Sequence, residues 1–312
     1  MRILVTDPIH PRFAADCTER GFKADIKPQI SRQEVLKLIE NYDGLIVNSR
    51  IECDREILDR GKKLRFVARA GSGLEVMDIE YAAQKQIAVL NAPEGNRNAV
   101  AEHALGLLLS LSRNIVKSDR EIYHGEWKRE ENRGEELYGK TLGLIAYGHT
   151  ARSFSKRVSG FDMNVLAYDK YLQGYSDAYV RESTLTDIWQ QADVVSIHLP
   201  QSPETMHFVN DSFLQSFAKP LWLINTSRGK VVDTAALIRA LKTGKIKGAA
   251  LDVHENEQPS TFSDEEKERH RELKEMPQVI MTPHIAGWTV ESKERIAQVL
   301  IEKIDWLIQQ GR

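Results

Sequence analysis

The stretch TLGLIAYGHTA, residues 141–151, decides how this chain is read. Its first seven residues suit a buried strand and its last residues open a helix, with Gly148 at the turn between them. A strand, a glycine turn and a helix in that order form the unit that offers helix N–H groups to a dinucleotide pyrophosphate, where the full fingerprint is GxGxxG. Here Gly148 keeps the middle glycine. Ala151 fills the third position, which the fingerprint tolerates, but Ala146 at the first is a departure, because a Cβ restricts the turn. The surrounding sequence restores the reading. Asp169 ends the next strand, 23 residues beyond Ala146, where an acid accepts hydrogen bonds from the adenine ribose and repels a 2′-phosphate. NAD is therefore the expected cofactor rather than NADP, although Lys170 adjoins.

Outward from this unit, further apolar strands occur at 163–169, 193–199, 221–227, 247–253 and 278–283, separated by helical segments. Six buried strands with intervening helices predict a doubly wound parallel sheet of dinucleotide-binding size. A first series precedes it: RILVT (2–6), LIVNS (45–49), LRFVARA (64–70) and IAVL (87–90), alternating with amphipathic stretches such as SRQEVLKLIENY. The fold class is thus α/β with two doubly wound domains. Residues 1–98 form the first part of one domain, 99–283 the dinucleotide-binding domain, and 284–312 a helix that returns to the first. Residues 99–120 carry no proline and a broad apolar stripe, which predicts one long helix. The charge-dense 255–276 reads as a solvated loop with a short helix.

The 312 residues carry 43 basic and 45 acidic side chains, a net charge of −2, so no global field attracts nucleic acid or an anionic membrane. No apolar run is long enough to span a bilayer and the start MRILVTDP lacks the order of a secretory signal, so a cytoplasmic location is expected. Cys17 and Cys53 are too few for a disulfide framework or zinc site; both read as reduced thiols, and no metal is expected.

Three polar residues follow late strands, where open α/β sheets place ligands. Arg228 follows INTS, Glu257 lies just after ALDV, and His284 follows IMTP. Read singly each has a plainer explanation, as a cap, a surface acid or a hydrogen-bonded structural histidine. Together they supply what oxidation of a 2-hydroxy acid needs. An imidazole takes the hydroxyl proton, a carboxylate stabilises the imidazolium, and a guanidinium holds the substrate carboxylate.

These residues stand in NTSRGKVVD (225–233), ALDVHENEQP (250–259) and TPHIAGWT (282–289), which closely resemble the arginine, glutamate and histidine motifs of the D-isomer-specific 2-hydroxyacid dehydrogenase family, the D-3-phosphoglycerate dehydrogenase branch in particular. RAGSGLEVMD (69–78), NAPEGNRNAVAEH (91–103), ELYGKTLGLI (136–145), VLAYDKY (165–171) and SIHLPQSPET (196–205) are similar as well, so the resemblance spans nearly the whole chain. It implies a flavodoxin-like substrate-binding domain interrupted by a Rossmann domain, and a homodimer built through the Rossmann domain and the helix near 100–120. It also implies that Ser72 and Gly73 amides hold the substrate carboxylate with Arg228, and that Ser49 and Arg50 bind the distal end of the substrate. On the cofactor side it implies His149 and Thr150 at the pyrophosphate and Asp169 at the ribose. His198, Pro200 and Thr205 fall around the adenosine, and Thr226, Asp252 and Gly287 along the nicotinamide.

Three departures qualify that picture. Ala146 replaces the usual first glycine, Asn48 stands where phosphoglycerate enzymes often carry arginine, and the chain ends without the extra domains that give feedback by serine, so such control is not expected. The expected function is hydride transfer between NAD and a D-2-hydroxy acid, D-3-phosphoglycerate included. A hydroxypyruvate or glyoxylate reductase is the neighbouring alternative. A non-catalytic NAD(H)-sensing interaction protein is the alternative of another class, disfavoured because a sensor needs no proton shuttle. Formate oxidation is disfavoured because formate offers no hydroxyl proton.

Overall fold

Successive side chains of a strand point to opposite faces, so a strand apolar at every position must be covered on both. Most strands here come close to that, being mainly apolar and buried along most of their length. The structure, a computed structural model, describes residues 1–311. The chain divides into two compact units: unit 1 is Met1–Asn98 together with the segment from Trp288 onward, and unit 2 is Ala99–Gly287.

In unit 1 the strands are β1 (Arg2–Val5), β2 (Lys23–Ile26), β3 (Gly44–Val47), β4 (Phe66–Arg69) and β5 (Ala88–Leu90). They pair in parallel in the order β2-β1-β3-β4-β5, the flavodoxin-like order. One face buries Leu4, Leu45 and Val67 beneath Val35, Ile39 and Leu58. The other buries Ile3, Val5, Ile46 and Phe66 against Leu300, Ile301 and Ile304 of the last helix, Val290–Gln309. Each such buried side chain stabilises by about 2 kcal/mol relative to exposure.

Unit 2 contains β6 (Thr141–Ile145), β7 (Asn164–Tyr168), β8 (Arg181–Glu182), β9 (Val194–Ile197), β10 (Leu221–Asn225), β11 (Ile246–Leu251) and β12 (Val279–Met281). Their order is β12-β11-β10-β9-β6-β7-β8, all parallel, which is the Rossmann order extended by one strand. Alternation is visible along single strands. Leu142, Leu144 and Ile224 face the helix residues Ala104, Leu108 and Leu111, while Ile145, Val195 and Leu223 face Ile188, Leu237 and Leu241.

Two local expectations are corrected and a third is met. The helix expected over 99–120 starts at Pro93 and stops at Ser112; a second runs Ile115–Tyr123. Asn114 separates them in the left-handed region, φ 53°, a conformation asparagine adopts more easily than most residues. The 255–276 segment holds a twelve-residue helix, Asp264–Glu275, begun by a capping box of Ser263 and Glu266. Finally, β2 and β8 add one strand to each sheet; both are edge strands with little burial, so neither carries an apolar run. Among the described residues no helix is long and apolar enough to cross a membrane.

Candidate active site

All strands of unit 2 run the same way, so their C-terminal ends share one edge. From β6 the chain moves outward to β7 and β8, then returns to β9 on the other side. The loops after β6 and β9 therefore part at that point and leave a crevice between them. Gly148 is the N-cap of helix His149–Val158 and has no side chain with which to cap it, so first-turn N–H groups face the crevice. A Cβ at Gly148 would meet nothing within 4 Å, which shows that the turn is open on that side. Ala146, at the first fingerprint position, holds φ 70°, the left-handed region a glycine would adopt without strain.

Thr150 and His198 tie the two loops together: Thr150 Oγ1 lies 3.0 Å from His198 Nδ1, and Ser196 Oγ lies 3.0 Å from His198 Nε2. Burial pushes the His198 imidazole down to about 3, so the ring is neutral, with one nitrogen donating and the other accepting. His198 is a buried strut behind Thr150. Thr205, also buried, closes the loop after β9 by donating from Oγ1 to the Pro200 carbonyl at 2.6 Å.

Asp169, just past β7, accepts from the backbone N–H of Tyr147 (2.9 Å), Tyr171 (2.9 Å) and Leu172 (3.0 Å). Burial works against its charge, but those N–H bonds outweigh it and hold the carboxyl below the usual range. Three bonds leave lone-pair capacity on a carboxylate that can accept about four.

The remaining groups follow the adjacent strands β10, β11 and β12. Asn225, fully buried, accepts from Ser227 N–H and donates to the Arg228 carbonyl at 3.0 Å, which fixes the loop that carries Arg228. Thr226 Oγ1 is buried without a partner among the described residues. An orphaned hydroxyl costs free energy unless a ligand completes it, so the strand end fits a polar group such as the nicotinamide half of a dinucleotide. Gly229 lets the next loop approach closely: a Cβ there would fall 1.8 Å from the His254 carbonyl oxygen.

From that next loop comes Glu257. Its Oε2 accepts from His284 Nδ1 at 2.8 Å. Burial disfavours the Glu257 charge, yet the histidine's hydrogen bond and charge prevail and keep the carboxyl below its usual range. His284 itself sits at φ 55°, and its backbone N–H donates to the Asp252 carbonyl at 2.8 Å. The Asp252 side chain, fully buried, is wholly engaged in the same loop. Oδ1 accepts from Thr282 Oγ1 (2.6 Å) and Ile285 N–H (2.9 Å), and Oδ2 from Ala286 N–H (2.8 Å). Asp252 thus shapes residues 282–287, Gly287 at their end, from beneath. His103 Nε2 lies 3.1 Å from Thr282 Oγ1 and joins this network. Its position in the helical stripe is the sequence signal for a part-buried polar contact.

Behind the Glu257 loop a cavity of about 50 Å3 is lined by Gly229, His254, Glu255 and His270. It has room for a few waters and none for a dinucleotide.

Unit 1 places its candidates at its own strand ends. Asn91 Nδ2 donates to the Ser72 carbonyl and Ser72 Oγ to Asn96 Oδ1, both at 2.6 Å, while the Gly73 carbonyl accepts from Arg69 at 2.9 Å. Ser49 is exposed after β3. Arg50 donates to the Thr6 carbonyl at 2.7 Å and stands 3.4 Å from Asp7, a buried carboxylate that also accepts from Asn48 N–H.

Comparison with known proteins follows the same lines. The family model for the D-isomer specific 2-hydroxyacid dehydrogenase NAD binding domain matches residues 105–286. D-3-phosphoglycerate dehydrogenase of Archaeoglobus fulgidus is 33% identical over 306 residues, 97% of this chain and 56% of that protein. The chain thus spans little more than half the length of that relative. Hydroxypyruvate reductase of Thermotoga maritima is 33% identical over 303 residues, 97% of each chain. D-lactate dehydrogenase from Aquifex aeolicus, solved in complex with NAD and lactic acid, is 26% identical with a TM-score of 0.83, covering 99% of this chain and 96% of that one.

Proposed function

Because the chain belongs to the D-isomer specific 2-hydroxyacid dehydrogenase family, we propose that it interconverts D-2-hydroxy acids and 2-oxo acids with NAD. The observation that carries this reading is the 2.8 Å bond between His284 and Glu257 at the C-terminal edge of the unit 2 sheet. A carboxylate only accepts, so Nδ1 carries the shared proton and Nε2 keeps a lone pair. Nε2 is thus the base for the substrate hydroxyl, and ionised Glu257 stabilises the imidazolium that results. In the reverse direction the same imidazolium returns its proton to the 2-oxo oxygen. Arg228, fixed through Asn225, offers a planar fork to the substrate carboxylate. In unit 1 the Ser72 and Gly73 amides are proposed as carboxylate-binding groups, and Ser49 with Arg50 for the far end of a substrate.

When bound, NAD supplies the hydride acceptor, and its reduced form the donor. The helix opening at Gly148, His149 and Thr150 suits the pyrophosphate, Asp169 the adenine ribose, and Pro200 with Thr205 the adenosine side. Thr226 and Gly287 suit the nicotinamide, while His198 and Asp252 act from behind by holding Thr150 and the 282–287 loop. The Asp7 carboxylate beside Arg50 favours an unphosphorylated 2-oxo acid, such as hydroxypyruvate or glyoxylate, over a phosphorylated one. A second copy of the chain is the proposed partner. Exposed Ile115, Ile122, Tyr123 and Trp127 form an apolar surface on and beyond helix Ile115–Tyr123 that such a copy would cover. Buried, unpaired Cys17 and Cys53 support a cytoplasmic location.

The test is NADH oxidation with a panel of 2-oxo acids, phosphohydroxypyruvate included. His284→Ala should lower turnover about 10^3-fold while NADH still binds. Binding of NADH without turnover of any 2-oxo acid by the wild type, or undiminished turnover in the variant, would refute the reading.

A further inference from the structure

The cofactor crevice is bridged at its outer edge by a contact that the fingerprint does not include. Glu204, in the loop after β9, receives Lys170 Nζ on Oε1 and Tyr171 Oη on Oε2, the latter at 2.6 Å. In the sheet β6 lies between β9 and β7, so this contact reaches across the end of β6, over the turn that carries Gly148. Its position is therefore the adenosine side of the crevice, next to Asp169.

We propose that Glu204 is a specificity-determining residue that keeps the site selective for NAD over its 2′-phosphorylated counterpart, by engaging the ammonium that would otherwise receive the phosphate. The inference rests on the NAD reading given above. A 2′-phosphate at the ribose held by Asp169 needs a cation to offset that carboxylate. Lys170 is the adjoining residue and its ammonium is paired with Glu204. Arg152, the other cation near Asp169, lies over the Tyr147 ring, 4.6 Å from its centroid. A phosphate dianion would accordingly meet two carboxylates and no uncommitted ammonium at Lys170, whereas a ribose hydroxyl meets an acceptor.

The loop presents Glu204 from a fixed backbone. The neighbouring Thr205 is buried, donates to the Pro200 carbonyl and accepts from Ser202 N–H at 2.9 Å. Lys170 and Glu204 are both exposed, so their pair contributes little to folding and replacing either leaves the fold in place.

The experiment titrates NADH and NADPH, followed by nicotinamide fluorescence, into the wild type, Glu204→Gln, and Glu204→Gln with Lys170→Met. The wild type should prefer NADH. Glu204→Gln should narrow that preference about five-fold, through tighter NADPH binding that weakens again at high salt. Lys170→Met in the same background should restore the original ratio. An unchanged ratio in Glu204→Gln, or a gain that survives Lys170→Met, overturns the proposal while the wild type's NADH binding keeps the NAD reading intact. A wild type that binds neither dinucleotide overturns both.

Discussion

Ala146 shows what a single atom does to a nucleotide turn. Its φ of 70° places a Cβ where an L-residue is strained by roughly 1–2 kcal/mol. Glycine removes that strain and returns part of the gain as extra freedom of the unfolded chain. Ala146→Gly should therefore stabilise unit 2 by about 1 kcal/mol in chemical denaturation; a loss of stability would show that the turn accommodates the methyl group. His198 acts through protonation. Folded, it refuses a proton down to about 3, whereas the unfolded ring accepts one near 6.5. Its contribution is fully present above the unfolded value and is lost as pH falls through that window, by at most about 1.4 kcal/mol per pH unit. Stability measured from pH 7 to 5 should thus decline, and His198→Asn should flatten the decline. An identical slope in the variant would remove His198 from the account.

The elements differ in how openly the sequence declares them. Strands covered on both faces, such as β6, β9 and β10, are predominantly apolar and could be placed from sequence within a residue or two. The edge strands β2 and β8 could not, because KADI and RE carry charged residues and no apolar run. The same contrast holds in the candidate site. Arg228, Glu257, His284 and Asp169 are legible because strand ends punctuated by polar residues mark a ligand-facing edge. The loop-shaping bonds of Asp252, His103 and Asn225 are not, since they depend on which loops the fold sets side by side. The break at Asn114 matters for assembly, for it turns helix Ile115–Tyr123 with Ile115 and Ile122 left exposed. If a second copy covers that face, sedimentation should give twice the chain mass, and Ile122→Glu with Trp127→Glu should reduce it to one. A wild type that sediments as a monomer at micromolar concentration would dismiss the dimer.

Across the molecule the sequence order and the folded order disagree in one respect. Unit 2 is a single uninterrupted segment, whereas unit 1 draws on chain from both sides of it. The sheet face formed by Ile3, Val5, Ile46 and Phe66 has its cover in Leu300, Ile301 and Ile304. A ribosome delivers those pieces on either side of all of unit 2. The β1–β5 sheet must therefore wait, one side covered only in part by Phe13 and Cys17 of helix Arg12–Glu19, while everything between Ala99 and Gly287 is made. A nascent chain stalled just after Gly287 is the state in which a chaperone has most to hold.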